Sequence, residues 1–498
     1  TMKKYLSMIC CLAVLFTAGC GDDDTGGEDG PKGEAKLTAF SFTAESNPDC
    51  LVKDYTGTIS GTAVSVKVPA GTDVSALVAT FETADGESTV TVGGTPQVSG
   101  TTANDFSDPV DYLVNLGKKN ALYTVTVSEL PEAVWTKVTE WEQTANDFRL
   151  EIDPTDDQPA LLVNADGATS AEDVAIFAKV SNGKFQPDTV AARRTSMPAF
   201  GFSASGKPYI FYYDPVSGVA KGFIATRTGT AWTEECTDID RPTTVGPTIG
   251  SVGERMFAFT MNRAAGVLGE RFVNITEYNN GWNKNQSISG RPSQRAYSVI
   301  ARNVENAMYV SVHNPAETAT NTPHSISIYK FENNAWSTII EAYVKPNEAG
   351  DSYVPIDLID HDLAVDKKGN IYLGIAYNRI PQVVKFDPAT KIFNLVATVL
   401  PTHTATRPNF CRIAVSPIGT LHAAYKDADN HLFATSLDNT TKDWKTAVQL
   451  STEAVDGFEF KFAENGTAYL AYNVNAEKVD GVIVSPAKIH LYKLATAE

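Results

Sequence analysis

The chain has 498 residues, 43% of them hydrophobic and 20% charged, with 35 Gly and 25 Pro. That is a globular composition, and at roughly 150 residues per domain the length points to more than one domain or to a small domain beside a large repeat fold. Asp and Glu number 59 against 41 Lys and Arg, a formal net charge of −18, which argues against nonspecific nucleic-acid binding and against a polybasic membrane contact, since both need an excess of cations.

In chain order, a targeting segment comes first. Lys3 and Lys4 precede an apolar run from Leu6 to Ala18, too short to span a bilayer of about 30 Å as a helix. The run ends in Thr17-Ala18-Gly19-Cys20. Small residues before a Cys resemble a bacterial lipobox, which implies lipidation of Cys20 and removal of residues 1–19; an ordinary secretory signal cleaved elsewhere is the alternative. Gly21-Asp22-Asp23-Asp24 resembles the surface-export signal of Bacteroidetes lipoproteins. The resemblance implies an outer-membrane, lipid-anchored, surface-exposed protein. Residues 20–35 read as an acidic flexible linker. Cys10 and Cys11 would leave with the signal, and Cys50, Cys236 and Cys411 lie too far apart in sequence for any spacing to select a disulfide or a zinc site.

Residues 36–130 read as strands. Val64, Val66 and Val68 alternate with polar residues, as do Val90 and Val92, then Val110, Tyr112 and Val114, then Tyr123, Val125 and Val127. Period-two alternation of β-branched and aromatic residues marks half-buried strands. The runs Val68-Pro69-Ala70-Gly71-Thr72-Asp73, Asp105-Phe106-Ser107 and Tyr123-Thr124-Val125-Thr126-Val127 resemble an Ig-like domain of unknown function in Bacteroides surface lipoproteins. The resemblance implies an Ig-like β-sandwich and brings no catalytic residues.

Residues 131–498 read as a repeat. A bulky aromatic returns at Trp135, Phe185, Trp232, Trp282, Trp336, Phe393 and Trp444, about every 50 residues. Between anchors come an apolar strand, a turn often holding Gly (Gly206, Gly253, Gly369, Gly419, Gly466), a second strand ending in an aromatic, and a third strand. Four strands per such period is the signature of a β-propeller. After Trp444 three strands follow without an anchor, whereas Trp135 has an anchor strand without three of its own. The complementary ends predict closure of one blade by the strand near Trp135, hence an all-β chain with seven blades; six or eight are the alternatives. Trp-Asp dipeptides and repeat Gly-Gly pairs are absent, so the propeller is neither WD40-like nor kelch-like.

On a propeller, ligands usually meet the connections into the innermost strands and the loops between second and third strands. Nine of fourteen arginines fall on these segments, among them Arg194, Arg295, Arg379 and Arg407, and guanidinium groups there would take carboxylate or sulfate bidentately. Five of seven histidines fall there too: His313, His324, His361, His403 and His431. His361 within Asp360-His361-Asp362 is a candidate for acid–base chemistry, with Asp362 as its carboxylate. His422 and His490 lie inside strands and read as structural. Tyr377, Tyr425 and Tyr472 end second strands, where a ring can stack on a sugar with its hydroxyl wet. Asp427-Ala428-Asp429-Asn430 resembles a calcium loop but lacks its Gly turn and distal Glu. No metal and no cofactor are expected, and no nucleotide or hydrolase motif is present.

Together these readings give a surface lipoprotein whose propeller top face binds an extracellular glycan or glycoconjugate. Two alternatives stay open: a polysaccharide-degrading enzyme, hydrolase or lyase, acting on acidic glycans, and an adhesion scaffold that binds a surface protein.

Overall fold

The computed structural model describes residues 33–166, 172–191, 195–214, 221–240, 247–263, 271–286, 288, 298–314, 325–343, 356–377, 380–397, 400, 411–438, 441–479 and 482–495. Among them there is no α-helix, so the fold is all-β, and no helix is long and apolar enough to cross a membrane.

The first strands build a three-stranded sheet, a six-stranded sheet and a short pair, Leu77–Val78 with Ala103–Asn104, on one core. Leu37–Phe42 lies between Tyr55–Thr56 and Thr80–Thr83. The larger sheet runs, in spatial order, Thr58–Ser60, Ala63–Val68, Lys119–Glu129, Val110–Leu116, Thr89–Val92 and Thr95–Pro96, with Ala63–Val68 and Lys119–Glu129 parallel. Val64, Val66 and Val68 all point inward, as their alternation predicts. Aromatic edges fill the centre: Phe40 meets Tyr112 at 5.3 Å and Phe42 meets Phe106 at 4.9 Å, both near perpendicular. Such pairs add about 0.5–1.5 kcal/mol each beyond buried area.

The rest of the described chain is propeller-like, in four-stranded antiparallel sheets with one short two-stranded pair, Glu477–Val479 and Val482–Ser485. The first holds Ala145–Ile152, Pro159–Ala165, Val174–Ser181 and Lys184–Thr189; the second Ser196–Phe202, Pro208–Asp214, Lys221–Thr228 and Ala231–Asp240. The third holds Thr248–Val252, Arg255–Arg263, Arg271–Tyr278 and Trp282–Gln286; the fourth Ser298–Val304, Ala307–Asn314, Ser325–Glu332 and Ala335–Tyr343. The fifth holds Ile356–Val365, Ile371–Tyr377, Ile380–Asp387 and Ile392–Leu395; the sixth Cys411–Val415, Leu421–Lys426, Leu432–Ser436 and Val448–Gln449. The seventh joins Phe458–Phe462, Ala468–Val474 and Lys488–Ala495 to Val134–Glu142 from the other end of the chain, with Trp135 opposite Leu494 and Trp141 opposite Ile489.

First strands touch first strands from sheet to sheet, and Ala145–Ile152 also touches Phe458–Phe462. Apart from Trp444, which precedes its outer strand, the repeating aromatics begin the outer strands, and three of them pack on the preceding sheet. Trp232 meets Phe177 at 5.4 Å, Trp282 meets Tyr209 at 6.1 Å, and Trp336 meets Phe257 at 6.1 Å. The turns between first and second strands need a left-handed residue. At Gly466 φ is +86°, and an added Cβ would also stand 2.9 Å from Val52 of the N-terminal sheets, which therefore sit against this turn.

Candidate functional site

The first strands surround a cavity of about 360 Å³ lined by residues from all seven sheets. Its walls follow from alternation. In the first sheet Phe148 and Leu150 are buried while Asp147, Arg149 and Glu151 line the cavity; in the seventh Phe460 is buried while Glu459 and Lys461 line it. Arg302, Asp362 and Arg412 complete a mixed set of acids and bases.

These charges tie sheets together. The Arg302 guanidinium of the fourth sheet donates to the Asp362 carboxylate of the fifth, and its Nε donates to the Leu363 carbonyl at 2.9 Å. Asp362 in turn accepts the backbone N–H of Ile413, in the sixth sheet, at 2.9 Å. Lys461 pairs with Glu151 of the first sheet at 2.9 Å. Burial alone would raise the Asp362 pKa, but Arg302, Arg412 and the Ile413 N–H hold it below the usual carboxylate range. Glu459 goes the other way: burial raises its pKa, and Arg412, Arg149 and Lys461 offset this only in part. None of these links was read from the sequence. The signal was available: charges at every second position of an apolar strand mark a face turned to water or to a channel.

His361 is fully buried rather than open at a strand's mouth, because the strand Ile356–Val365 runs through Asp360-His361-Asp362. Its Nδ1 lies 3.2 Å from Ser298 Oγ and its Nε2 2.7 Å from Ser311 Oγ. Burial pushes its pKa down to about 4 against the opposing pull of Asp362, so the ring is neutral at pH 7 and exchanges one donated and one accepted bond. His313 is buried beside it, ring centroids 6.4 Å apart. His361 and Asp362 line the cavity together, while His313 stands behind its wall.

The other candidates do not converge. His431 sits in the loop between the second and third strands of the sixth sheet, its Nδ1 2.9 Å from Asp427 Oδ2. Asp427, Asp429 and His431 bring ligand-type atoms within 4.8 Å of one another. Asp427 Oδ1, however, already accepts the backbone N–H groups of Asp429 and His431, which makes an Asx-type loop. Tyr425 and Tyr472 are 2% and 3% exposed, their rings stacked on Phe433 and on His490 and Tyr492, so they offer no open face to a sugar. Alternation sends these strand-end rings into the packing between strands. Tyr377 ends its strand, but its side chain is outside the described residues, as are Arg194, Arg295, Arg379, Arg407, His324, His403 and Cys20.

Residues 40–127 match the family described as SGBP, N-terminal. The family is one of Bacteroidetes-type surface glycan-binding proteins, and the match covers the N-terminal sheets and no part of the cavity. No curated protein matches the chain. Among solved structures, an α-L-arabinanase of Penicillium chrysogenum complexed with arabinobiose is 10% identical, covers 61% of this chain and 94% of its own, and has a TM-score of 0.36. A lectin of Aleuria aurantia in complex with a fucosylated GlcNAc is 10% identical over 59% of this chain and 94% of its own, at a TM-score of 0.38. A DUF4623 family protein of Bacteroides eggerthii is 10% identical over 92% of this chain and 98% of its own, at a TM-score of 0.34.

Proposed function

We propose that this protein is a cell-surface lipoprotein that binds an extracellular glycan. In this reading residues 1–19 are a signal peptide, Cys20 carries the lipid, and residues 20–35 are a linker. Residues 36–130 are an Ig-like sandwich that spaces the propeller, residues 131–498, from the outer membrane. The propeller has seven blades, closed by Val134–Glu142, and takes the glycan on the face that carries Arg194, Arg295, Arg379 and Arg407. The observation that supports this most is the match of residues 40–127 to a glycan-binding surface family. Arginines on that face would favour glycans bearing uronate, sialate or sulfate. The test is a glycan array probed with the purified chain, followed by calorimetry on the hits. Arg295→Ala or Arg407→Ala should weaken binding of an acidic glycan by about 1–3 kcal/mol.

A second reading, an enzyme acting on acidic polysaccharide, draws on one observation. Asp362 is held low and Glu459 is raised within one cavity, and paired carboxyls pushed apart can divide acid and base roles. Release of reducing ends or unsaturated sugar by the wild type, abolished in Glu459→Gln, would favour it. Bound glycan recovered intact would leave the binding reading in place.

A further inference from the structure

A second cavity, of about 350 Å³, opens where the sixth sheet meets the seventh, and no residue lines both it and the central one. Its wall holds His490 and Tyr492 from the last strand and Tyr472 from the strand beside it. Ser451 and Glu453, from the connection that leaves the sixth sheet, form its rim.

His490 is 6% exposed, yet neither ring nitrogen has a hydrogen-bond partner. The nearest carboxylate, Glu140 Oε2, is 3.7 Å from Nδ1, beyond hydrogen-bond reach. Buried polar groups are rarely left this way, because each loses water and gains nothing. The imidazole belongs to a stack of three rings: His490 lies 4.8 Å from Tyr472 at 26°, and Tyr472 lies 5.8 Å from Tyr492 at 21°. The rim is set in advance, since Gln449 Nε2 donates to the Ser451 carbonyl at 2.9 Å and Ser451 Oγ donates to the Glu453 carbonyl at 2.6 Å. Lys137, already paired with Glu140, and Glu453 are the charged residues of the lining.

Aromatic wall, a carboxylate at the rim, and an imidazole short of one donor and one acceptor together describe a ligand with apolar C–H groups and hydroxyls that both give and take hydrogen bonds. We propose that this pocket is a subsite for one neutral sugar residue, with His490 bonded to its hydroxyls and Tyr492 against its C–H face. The proposal rests on the glycan-binding reading above and adds a place and a sugar class to it: a neutral residue at the seam, apart from the arginines.

The test titrates the full chain with the methyl glycosides of glucose, galactose, mannose and N-acetylglucosamine, while the ring nitrogens of His490 are followed by long-range proton–nitrogen NMR. One of the glycosides should move the His490 signals saturably. His490→Phe, which keeps a ring in the stack but removes both nitrogens, should weaken that glycoside about tenfold or more. Glu453→Gln, on an exposed side chain, should weaken it measurably and decides the matter should His490→Phe fail to fold. No response at His490 to any of the four glycosides, or unchanged affinity in both folded variants, overturns the subsite. If an array-positive polysaccharide still binds undiminished to His490→Phe, the pocket is refuted and the broader reading stands; if the wild type binds no glycan at all, both fall.

Discussion

The Asp362 carboxylate accepts the Ile413 backbone N–H at 2.9 Å while the Arg302 guanidinium holds its other oxygen, so one buried side chain links three consecutive sheets. Removing it leaves Arg302 facing the cavity without its carboxylate and a buried N–H without its acceptor. Asp362→Ala should destabilise the fold by about 3 kcal/mol, read as a lower urea midpoint by tryptophan fluorescence. Leu363→Val, at a buried but apolar neighbour, should cost only about 1 kcal/mol.

The same cavity has two opposed pH dependences. Asp362 has a folded pKa below its unfolded one. Its contribution is present above the unfolded value and is lost as pH falls through the folded value. Glu459 has a raised folded pKa, so its ionisation costs stability as pH rises above the unfolded value. Glu459→Gln should therefore raise the melting temperature at pH 7, and the gain should shrink as pH approaches 4 from above. Asp362→Asn should show the reverse: a loss at pH 7 that narrows in acid. Thermal melts across pH 3.5–7.5 separate the two. A Glu459→Gln difference that grows toward acid would contradict the assignment.

Val134–Glu142 completes the seventh sheet against Lys488–Ala495, and Trp135 packs 5.9 Å from Phe460. Deleting residues 131–140 should expose the edge of that last strand and lower the melting temperature by about 5–10 °C. Deleting 36–128 should leave the melting of the remaining sheets nearly unchanged. Calorimetry of both truncations is the measurement, and equal effects would refute it.

The fold was legible in the sequence where a residue type is tied to a backbone need. Trp232, Trp282 and Trp336 recur because each outer strand needs a large ring against the preceding sheet, and the Gly at 206, 253, 369, 419 and 466 recurs because each turn there has φ between +61° and +87°. The unmatched strands at the two ends disclosed the partner of Val134–Glu142. The site was less legible. Asp360-His361-Asp362 looks like a polar loop, but its strand continues and two serines from the fourth sheet, distant in sequence, satisfy the ring. The strands of Tyr425 and Tyr472 run on to Lys426 and Val474 instead of ending at the rings, and burial depends on the neighbouring strand, which local pattern does not reveal. His490 reads as structural because it lies inside a strand; its lack of hydrogen-bond partners is a property of the assembled seam.

The address can be tested apart from the fold. Cys20→Ala should move the protein from the membrane fraction to the soluble one, and alanines at Asp22 to Asp24 should leave it lipidated but shielded from protease added to whole cells. Persistence of Cys20→Ala in washed membranes would refute the lipid anchor.

The central claim is that this chain holds a glycan, and the most direct measurement is a glycan array probed with the full chain at low and at high salt. The expected result is saturable binding to a subset of glycans, with acidic members weakened by salt as charge–charge attraction is screened. Signal indistinguishable from a non-binding control protein across the whole array would contradict it.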